Sequence, residues 1–214
     1  MRRRFDEQLE ELNQQMQAMG IMVEDSIQKA IEALLKQDIV LAQAVMEGDV
    51  QVDQKQKEIE SICFTLLMQQ QPVASDLRII SAALKMVTDM ERIGDHAADI
   101  SEMTVHLAQE PYIKNLDHIR QMASETMWML IQSIEAYVEK DMKKATGVIV
   151  HDDIVDELFA ETKRELIELI HDDKNNGEQA TDLLMVAKYF ERIGDHATNL
   201  AEWVIFSIDK RPRG

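Results

Sequence analysis

The sequence has few of the residues that interrupt helices or cross-link chains. Its 214 residues include one cysteine, three prolines and seven glycines, and aromatic residues make up 5%. With Cys63 alone, no disulfide can form within the chain, which is typical of a reducing cytosol. Few prolines and glycines over this length favour long helices, and the β-branched runs of a sheet protein are missing. The composition therefore predicts an all-α, cytoplasmic protein.

Other absences exclude whole classes of function. No apolar run approaches the roughly 18–20 residues that span a bilayer, so contact with a membrane is expected only through partners. Basic residues 2–4 are followed at once by Phe5 and Asp6 rather than by an apolar segment, so we expect no secretory signal. The net charge of -17 repels nucleic-acid phosphates and disfavours a nucleic-acid partner. The same charge suits a basic partner or multivalent cations.

Apolar residues recur every three or four positions along six segments, which is the pattern of amphipathic helices. Polar or proline-containing breaks separate the segments, among them Gln37-Asp38 and Gln71-Pro72. The predicted helices run from 6 to about 36, from 38 to about 68, from 75 or 76 to about 109, from 115 or 117 to about 140, from 141 to about 171, and from about 178 to 208. The expected N-caps are Asp38, Ser75 or Asp76, Asn115 or Asp117, and Asp141.

The second half of the chain repeats the first. Residues 91–97 (ERIGDHA) recur without a change at 191–197, an offset of 100. In the preceding helix of each half the offset is 103, and Asp49 and Asp53 correspond to Asp152 and Asp156. Long helices with short connections pack antiparallel. We therefore predict two pseudo-symmetric, antiparallel three-helix bundles, residues 1–110 and residues 111–214.

Carboxylates occupy positions where the apolar stripes call for apolar residues. In the third helix the stripe runs through Leu84 and Val87 to Glu91, and Asp95 and Asp99 follow on the same face. The second helix shows the same interruption, and both interruptions recur in the second half. The candidate metal ligands are Asp49, Asp53, Glu91, Asp95 and Asp99 in the first half, and Asp152, Asp156, Glu191, Asp195 and Asn199 in the second.

Inward carboxylates repel one another and lose hydration, at several kcal/mol per ion when unpaired. Arg92 and Arg192 follow the glutamates but lie about 100° around the helix, so we expect them to stay off the clusters. Clustered oxygen atoms suit Mg²⁺, Ca²⁺, Mn²⁺ or iron. The alternatives are a network of salt bridges and a binding face for another protein.

Neighbouring residues suggest supporting roles. His96 and His196 lie about 140° from the stripe and are expected to support ligands or face solvent. Gly94 and Gly194 are expected to let helices approach closely, and Cys63 is expected in the core. The Glu-x-x-His pair of di-iron oxidases is missing from the motif, and no glycine-rich phosphate loop occurs.

Three stretches resemble the PhoU family of bacterial phosphate-uptake regulators. They are the doubled motif at 91–97 and 191–197, the turn at 71–78 (QPVASDLR), and the acidic segment at 48–53 (GDVQVD). The resemblance implies metal ions, often several, at the ten candidate ligands, with Fe, Mn, Mg, Zn and Ca all open. Asn199 departs from Asp99 and lowers the charge of the second site. The second half also lacks the QPVASDLR turn.

The resemblance also implies a function. PhoU proteins are non-enzymatic regulators that restrain the high-affinity phosphate ABC transporter and keep the phosphate-starvation response off when phosphate is abundant. The implied partners are the transporter's ATPase subunit and the phosphate sensor histidine kinase, and the implied assembly is a homodimer. Two alternatives remain open at this point. One is a metal-dependent phosphatase, and the other is a structural bundle whose acidic faces bind a basic partner.

Overall fold

A computed structural model describes residues 2–69 and 73–209, and within these residues the fold is all-α. The six long helices are α1 (Arg2–Lys36), α2 (Ile39–Gln69), α3 (Ala74–Leu107), α4 (Asp117–Glu139), α5 (Met142–Asp172) and α6 (Gly177–Ile208). A single 3₁₀ turn, Lys174–Asn176, lies in the predicted turn before α6. In the part of the chain described, no helix is apolar over a length sufficient to cross a membrane.

Two predicted caps are confirmed, and they occupy equivalent places in the two halves. The Asp38 carboxylate accepts a hydrogen bond from the Leu41 N–H at 3.0 Å. The Asp141 carboxylate accepts one from the Lys143 N–H at 2.8 Å. The residue before each cap, Gln37 or Lys140, has a left-handed backbone, with φ of 53° and 55°. The joints α1–α2 and α4–α5 therefore have the same local geometry at the 103-residue offset.

The start of α3 differs from the prediction. Ser75 and Asp76 are not its caps, because the helix begins earlier, at Ala74, and both lie in its first turn. Val73 occupies the capping position and has no side-chain oxygen to offer the free N–H groups of the helix end. The predicted break at Gln71-Pro72 lies outside the described residues.

Other boundaries shift by a few residues. The first helix begins at Arg2 rather than at residue 6, and α3 ends at Leu107 rather than at 109. The fourth helix begins at Asp117, but Leu116 occupies its capping position and no side chain caps it, so neither Asn115 nor Asp117 is the N-cap. Helix ends are set by local capping and by the neighbouring segments in the fold, so apolar periodicity locates them only approximately.

Each half forms a three-helix bundle, and the bundles pack side by side. The first three helices contact one another, as do the last three, while α3 contacts α6 and α1 contacts α4. Helices α3 and α6 are antiparallel, because Asp89 of α3 contacts His196, whereas Arg78, earlier in α3, contacts Asp209 just beyond α6. Among the described helices, α2 and α5 contact only their own bundle and lie at the outer edges.

A single hydrophobic core runs through both bundles. Methionines fill much of it, including Met16, Met19, Met86 and Met90, since their flexible side chains fit irregular gaps between helices. Cys63 is fully buried, as predicted, and burial raises the pKa of its thiol to about 12. The boundary at residues 110 and 111 stays a prediction; the Tyr112 hydroxyl donates to the Leu34 carbonyl at 2.6 Å, so the connection is held against α1.

Candidate metal centre

Glycine lets the acidic helices approach each other closely. A Cβ at Gly94 of α3 would lie 3.1 Å from Val52 Cγ1 and 3.4 Å from Asp49 Oδ1 on α2. At Gly194 of α6, the same atom would lie 3.1 Å from an Asp152 carboxylate oxygen on α5. All three distances are at or below ordinary van der Waals contact, so the predicted role of these glycines is confirmed.

The first cluster joins two helices. Asp49 and Asp53 of α2 and Asp95 of α3 each offer a carboxylate oxygen, and these oxygens lie within 4.8 Å of one another. All three side chains are partly buried. Glu91, one turn earlier on α3, and Asp99, one turn later, flank the trio closely enough to affect its ionisation. The five candidate ligands of the first half therefore share one face between α2 and α3.

The carboxyl groups of the first cluster lose their protons less readily than free carboxyl groups, because they are partly buried and close together. Burial, then the charges of Asp95 and Asp53, raises the pKa of Asp49 to about 6. Burial and the neighbouring Asp95 carboxylate raise the pKa of Glu91, and Arg92 partly opposes them. The negative charge of each carboxylate thus disfavours ionisation of its neighbours, and a bound cation would relieve this repulsion.

Arg92 contacts the cluster, contrary to the prediction. Its Nη1 donates to an Asp95 oxygen at 3.0 Å, and its Nε lies 3.5 Å from Glu91. The predicted separation of about 100° holds for the Cα positions, but the long side chain reaches back along the helix surface. Arg92 is largely exposed, so it neutralises the outer side of the cluster. It leaves Asp49 and Asp53 without a cationic partner among the described residues.

The second cluster keeps four of the five carboxylates, with Asn199 in place of Asp99, and its cation is Lys188. Burial, then the charge of Asp156, raises the pKa of Asp152 to about 6, and burial also raises the pKa of Asp195. The Lys188 ammonium pairs with the Glu191 carboxylate. Lys188 takes the place of Thr88 in the first half. Within the described residues, three mutually close ligand oxygens are found in the first cluster and not in the second.

Asn199, the predicted fifth ligand of the second site, bonds across the interface between the two bundles. Its amide nitrogen donates to an Asp89 carboxylate oxygen of α3 at 3.2 Å. The Nδ1 atom of His196 lies 2.8 Å from the same oxygen. Asp89 was not among the predicted functional residues. Its counterpart is Tyr189, and that mismatch between two otherwise similar helices was the sequence signal available.

The two motif histidines lie between the bundles. The ring centroids of His96 and His196 are 5.7 Å apart, and His96 is 5.5 Å from the Tyr189 ring. The Nδ1 atom of His96 lies 3.1 Å from an Asp99 oxygen, and burial lowers the His96 pKa. His96 therefore contacts a candidate ligand, which is one of the two roles predicted for the motif histidines. His196 instead contacts Asp89, which is not among the ten candidate ligands.

The donors of the first cluster fit a hard cation. The predicted set there is entirely carboxylate oxygen, which Mg²⁺, Ca²⁺, Mn²⁺ and iron accept readily, whereas Zn²⁺ in proteins is mostly bound by nitrogen and sulfur. Asp49, Asp53 and Asp95 are the residues best placed to hold such an ion. A bound ion would supply positive charge between α2 and α3.

Taken together, the doubled three-helix fold and the paired acidic clusters define an internally repeated, all-α protein with two candidate metal centres. The PhoU domain family matches the chain twice, over residues 16–104 and 119–204. The chain belongs to the PhoU family.

Relatives and solved structures match this chain over most or nearly all of its length. The PhoU homolog of Clostridium acetobutylicum, called a phosphate-specific transport system accessory protein, is 41% identical over 97% of this chain and 95% of its own. A homolog of the same description from Aquifex aeolicus is 39% identical over 86% of this chain and 84% of its own. The crystal structure of PhoU from Pseudomonas aeruginosa matches with a TM-score of 0.91 and 33% identity, covering 95% and 98% of the two chains.

Proposed function

We propose that this protein is a non-enzymatic, cytoplasmic regulator of phosphate uptake. In this role it restrains a high-affinity phosphate ABC transporter and keeps the phosphate-starvation response off while phosphate is abundant. The observation that supports the proposal most strongly is the match to the PhoU family in both halves of the chain. Relatives of nearly the same length are named as accessory proteins of the phosphate-specific transport system.

The proposed partners are the ATPase subunit of the transporter and the phosphate sensor histidine kinase. An adaptor of this kind acts by binding one state of a partner more tightly than another, and it needs no catalytic step. A net charge of -17 disfavours direct control of genes through DNA. Regulation through protein contacts is therefore the proposed route.

Metal ions have a structural part in this proposal. An ion held by Asp49 and Asp53 of α2 and by Asp95 of α3 would hold the two helices together against their own repulsion. Each cluster receives one positive charge from its own helix, from Arg92 in the first half and from Lys188 in the second, but the second has one carboxylate fewer because Asn199 replaces Asp99. Ion binding should consequently stabilise the first bundle more than the second.

The rival proposal is a metal-dependent phosphatase, in which clustered ions would activate water. The one cysteine is fully buried, and its raised pKa keeps the thiol protonated and unreactive. This argues against a cysteine nucleophile but leaves water activation to be tested by assay.

A deletion strain tests the regulatory proposal. Without this protein, and with no second copy of its gene, a phosphate-starvation reporter should stay active in abundant phosphate, and the wild-type gene should restore repression. Normal repression in the deletion strain would refute the proposal. In parallel, purified metal-loaded protein should hydrolyse a phosphomonoester no faster than the metal alone. Turnover that disappears in Glu91→Ala would support the phosphatase instead.

We also propose that the protein is a homodimer. Large apolar side chains are exposed on the outer helices, including Val50 and Phe64 of α2 and Val150 of α5. Light scattering of the metal-loaded protein should give twice the chain mass of 24.6 kDa at micromolar concentration. A monomer throughout that range would contradict the proposal.

A further inference from the structure

A buried hydroxyl beside the second acidic cluster has no partner that accounts for it. Thr198 lies on α6, one turn after Gly194. Its Oγ1 atom is closed to solvent and makes no hydrogen bond to any of the described residues. Leaving a buried hydroxyl unsatisfied is unfavourable, so such an atom in a folded protein calls for a physical explanation.

Three fully buried threonines show the usual arrangement. Thr104, Thr126 and Thr162 each donate the hydroxyl proton to the backbone carbonyl four residues earlier, at 2.9, 2.9 and 2.8 Å. A helix commonly satisfies a threonine side chain in this way. The Gly194 carbonyl lies at the same spacing from Thr198 but does not accept such a bond. The Thr198 hydroxyl is therefore directed elsewhere.

The packing of α6 against α5 places Thr198 beside Asp152. A Cβ at Gly194 would lie 3.1 Å from an Asp152 carboxylate oxygen, so the Gly194 side of α6 faces that carboxylate. Thr198 lies about 40° from Gly194 around the helix and one turn further along it. Burial raises the pKa of Asp152, whereas the nearby Thr198 hydroxyl lowers it by favouring the ionised carboxylate. The unused hydroxyl thus borders the second cluster.

Asn199, the predicted fifth ligand, lies on a different side of α6. It is about 140° from Gly194 around the helix. Its amide nitrogen donates to Asp89 of α3 at 3.2 Å, and His196 contacts the same carboxylate oxygen. A carboxylate only accepts hydrogen bonds, so this contact requires the amide nitrogen on that side. Asn199 is therefore engaged between the two bundles.

The first half differs at both of these positions. Ala98 stands where the second half has Thr198, and Asp99 stands where it has Asn199. The side chain of Ala98 has no oxygen to offer a cation, whereas Asp99 contributes a carboxylate. Within one repeat, the loss of a carboxylate at position 199 is thus accompanied by the gain of a hydroxyl at position 198.

We propose that the Thr198 hydroxyl, and not the Asn199 amide, completes the second metal centre as an oxygen ligand for a divalent cation. Asp152, Asp156 and Asp195 would supply the negative charge, and Thr198 a neutral oxygen. Threonine hydroxyls bind Mg²⁺ in nucleotide-binding loops, so the ligand class is a hard cation such as Mg²⁺ or Mn²⁺. This inference rests on the proposed binding of metal by the second cluster.

Mn²⁺ titration of the full-length protein, followed by electron paramagnetic resonance, tests the assignment. Glu91→Ala with Asp95→Ala is used as the parent, so that the first centre is empty and the signal reports the second. In this parent we expect Thr198→Val to bind Mn²⁺ roughly tenfold more weakly, because it removes a ligand and keeps the shape of the side chain. Thr198→Ser keeps a hydroxyl and should bind like the parent, as should Asn199→Ala.

Further variants separate a metal ligand from a structural residue. Thr198→Ala, which copies Ala98 of the first half, should lose affinity as Thr198→Val does. Thr126→Val removes a hydroxyl that is bonded within its own helix, so it is the matched control and should leave Mn²⁺ affinity unchanged. In chelator-treated protein, Thr198→Val should be at least as stable to heat as the parent, because it removes an unsatisfied hydroxyl. Added Mn²⁺ should then stabilise it less than it stabilises the parent.

The possible failures are distinguishable. Parent affinity in both Thr198→Val and Thr198→Ala would overturn the assignment, as would a loss of affinity in Asn199→Ala equal to theirs. Absence of Mn²⁺ binding in the parent itself would contradict metal binding by the second cluster, and the assignment of Thr198 would fall with it.

Discussion

The acidic clusters of the two bundles began as copies and now differ in how their charge is balanced. In the first, Asp49, Asp53 and Asp95 bring carboxylate oxygens within 4.8 Å of one another. In the second, Lys188 pairs with Glu191. The repeated motif thus preserves four of the five carboxylate positions, while the cation that pairs with them changes. Each cluster is partly neutralised by a cation of its own helix, Arg92 in the first and Lys188 in the second. The first cluster has five carboxylates and the second has four, because Asn199 replaces Asp99, so the first has the greater need of a cation.

Paired double variants give the largest expected effect on this comparison. Glu91→Ala with Asp95→Ala should remove the ions of the first cluster, because it deletes one close ligand and its neighbour. Glu191→Ala with Asp195→Ala should remove fewer ions, from the second cluster. Metal content per chain, measured by mass spectrometry of protein purified without chelator, decides between them. Unchanged metal in the first variant would mean that the assigned ligands are wrong.

Exchanging the residues at positions 88 and 188 should reverse the order of metal affinity of the two clusters. Lys188→Thr copies Thr88 and releases Glu191, so the second site should bind Mn²⁺ roughly tenfold more tightly. Thr88→Lys should weaken the first site in the same proportion. Titration with Mn²⁺ followed by electron paramagnetic resonance measures both. Equal affinities in all three proteins would show that Lys188 does not compete with a metal ion.

A pH series tests whether repulsion among the carboxylates destabilises the two metal-free clusters equally. Burial and neighbouring carboxylates raise the pKa of both Asp49 and Asp152 to about 6. A raised carboxyl pKa means that the folded state binds the proton more tightly, so this contribution stabilises the fold at low pH and is lost as pH rises through about 6. In chelator-treated protein at pH 7, Asp49→Asn and Asp152→Asn should each raise the free energy of unfolding by about 1–2 kcal/mol, after allowance for solvent screening.

The gain in the free energy of unfolding of the two Asn variants over the wild type should shrink as pH falls through 6. It should vanish near pH 4, where the aspartate also takes up its proton in the unfolded state. Urea unfolding at pH 7, 6, 5 and 4 provides the measurement. An advantage in one variant only would show that the clusters differ in repulsion as well as in metal binding.

The smallest expected effect concerns the glycines at the two helix contacts. In exposed space, as at Gly48, a change to alanine should stabilise the helix by about 1 kcal/mol. At Gly94 and Gly194 the new methyl group would press on Val52 or on the Asp152 carboxylate, which should cancel that gain. Thermal unfolding of the three single variants compares them. A full gain at Gly94 would mean that α2 and α3 can separate without cost.

The sequence by itself determined the helices and the repeat. The spacing of apolar residues depends on the 3.6-residue period of the helix, which is a local property, so it located the six helices and placed carboxylates on inner stripes. The caps Asp38 and Asp141 were predictable for the same reason, because each bonds within three residues of itself. Identical residues at 91–97 and 191–197 carried the family resemblance.

Only the tertiary structure decided which groups meet. The contact of Asp89 with His196 and Asn199 joins residues more than 100 positions apart, across an antiparallel pair that periodicity does not specify. The cavity of about 320 Å³ likewise forms only where α1 and the ends of α3, α4 and α6 converge. The ion pairs of Arg92 and Lys188 could not be predicted from the sequence even though their partners are close in the chain. Long, flexible side chains can reach several carboxylates, and which ones are near is decided only when the helices pack.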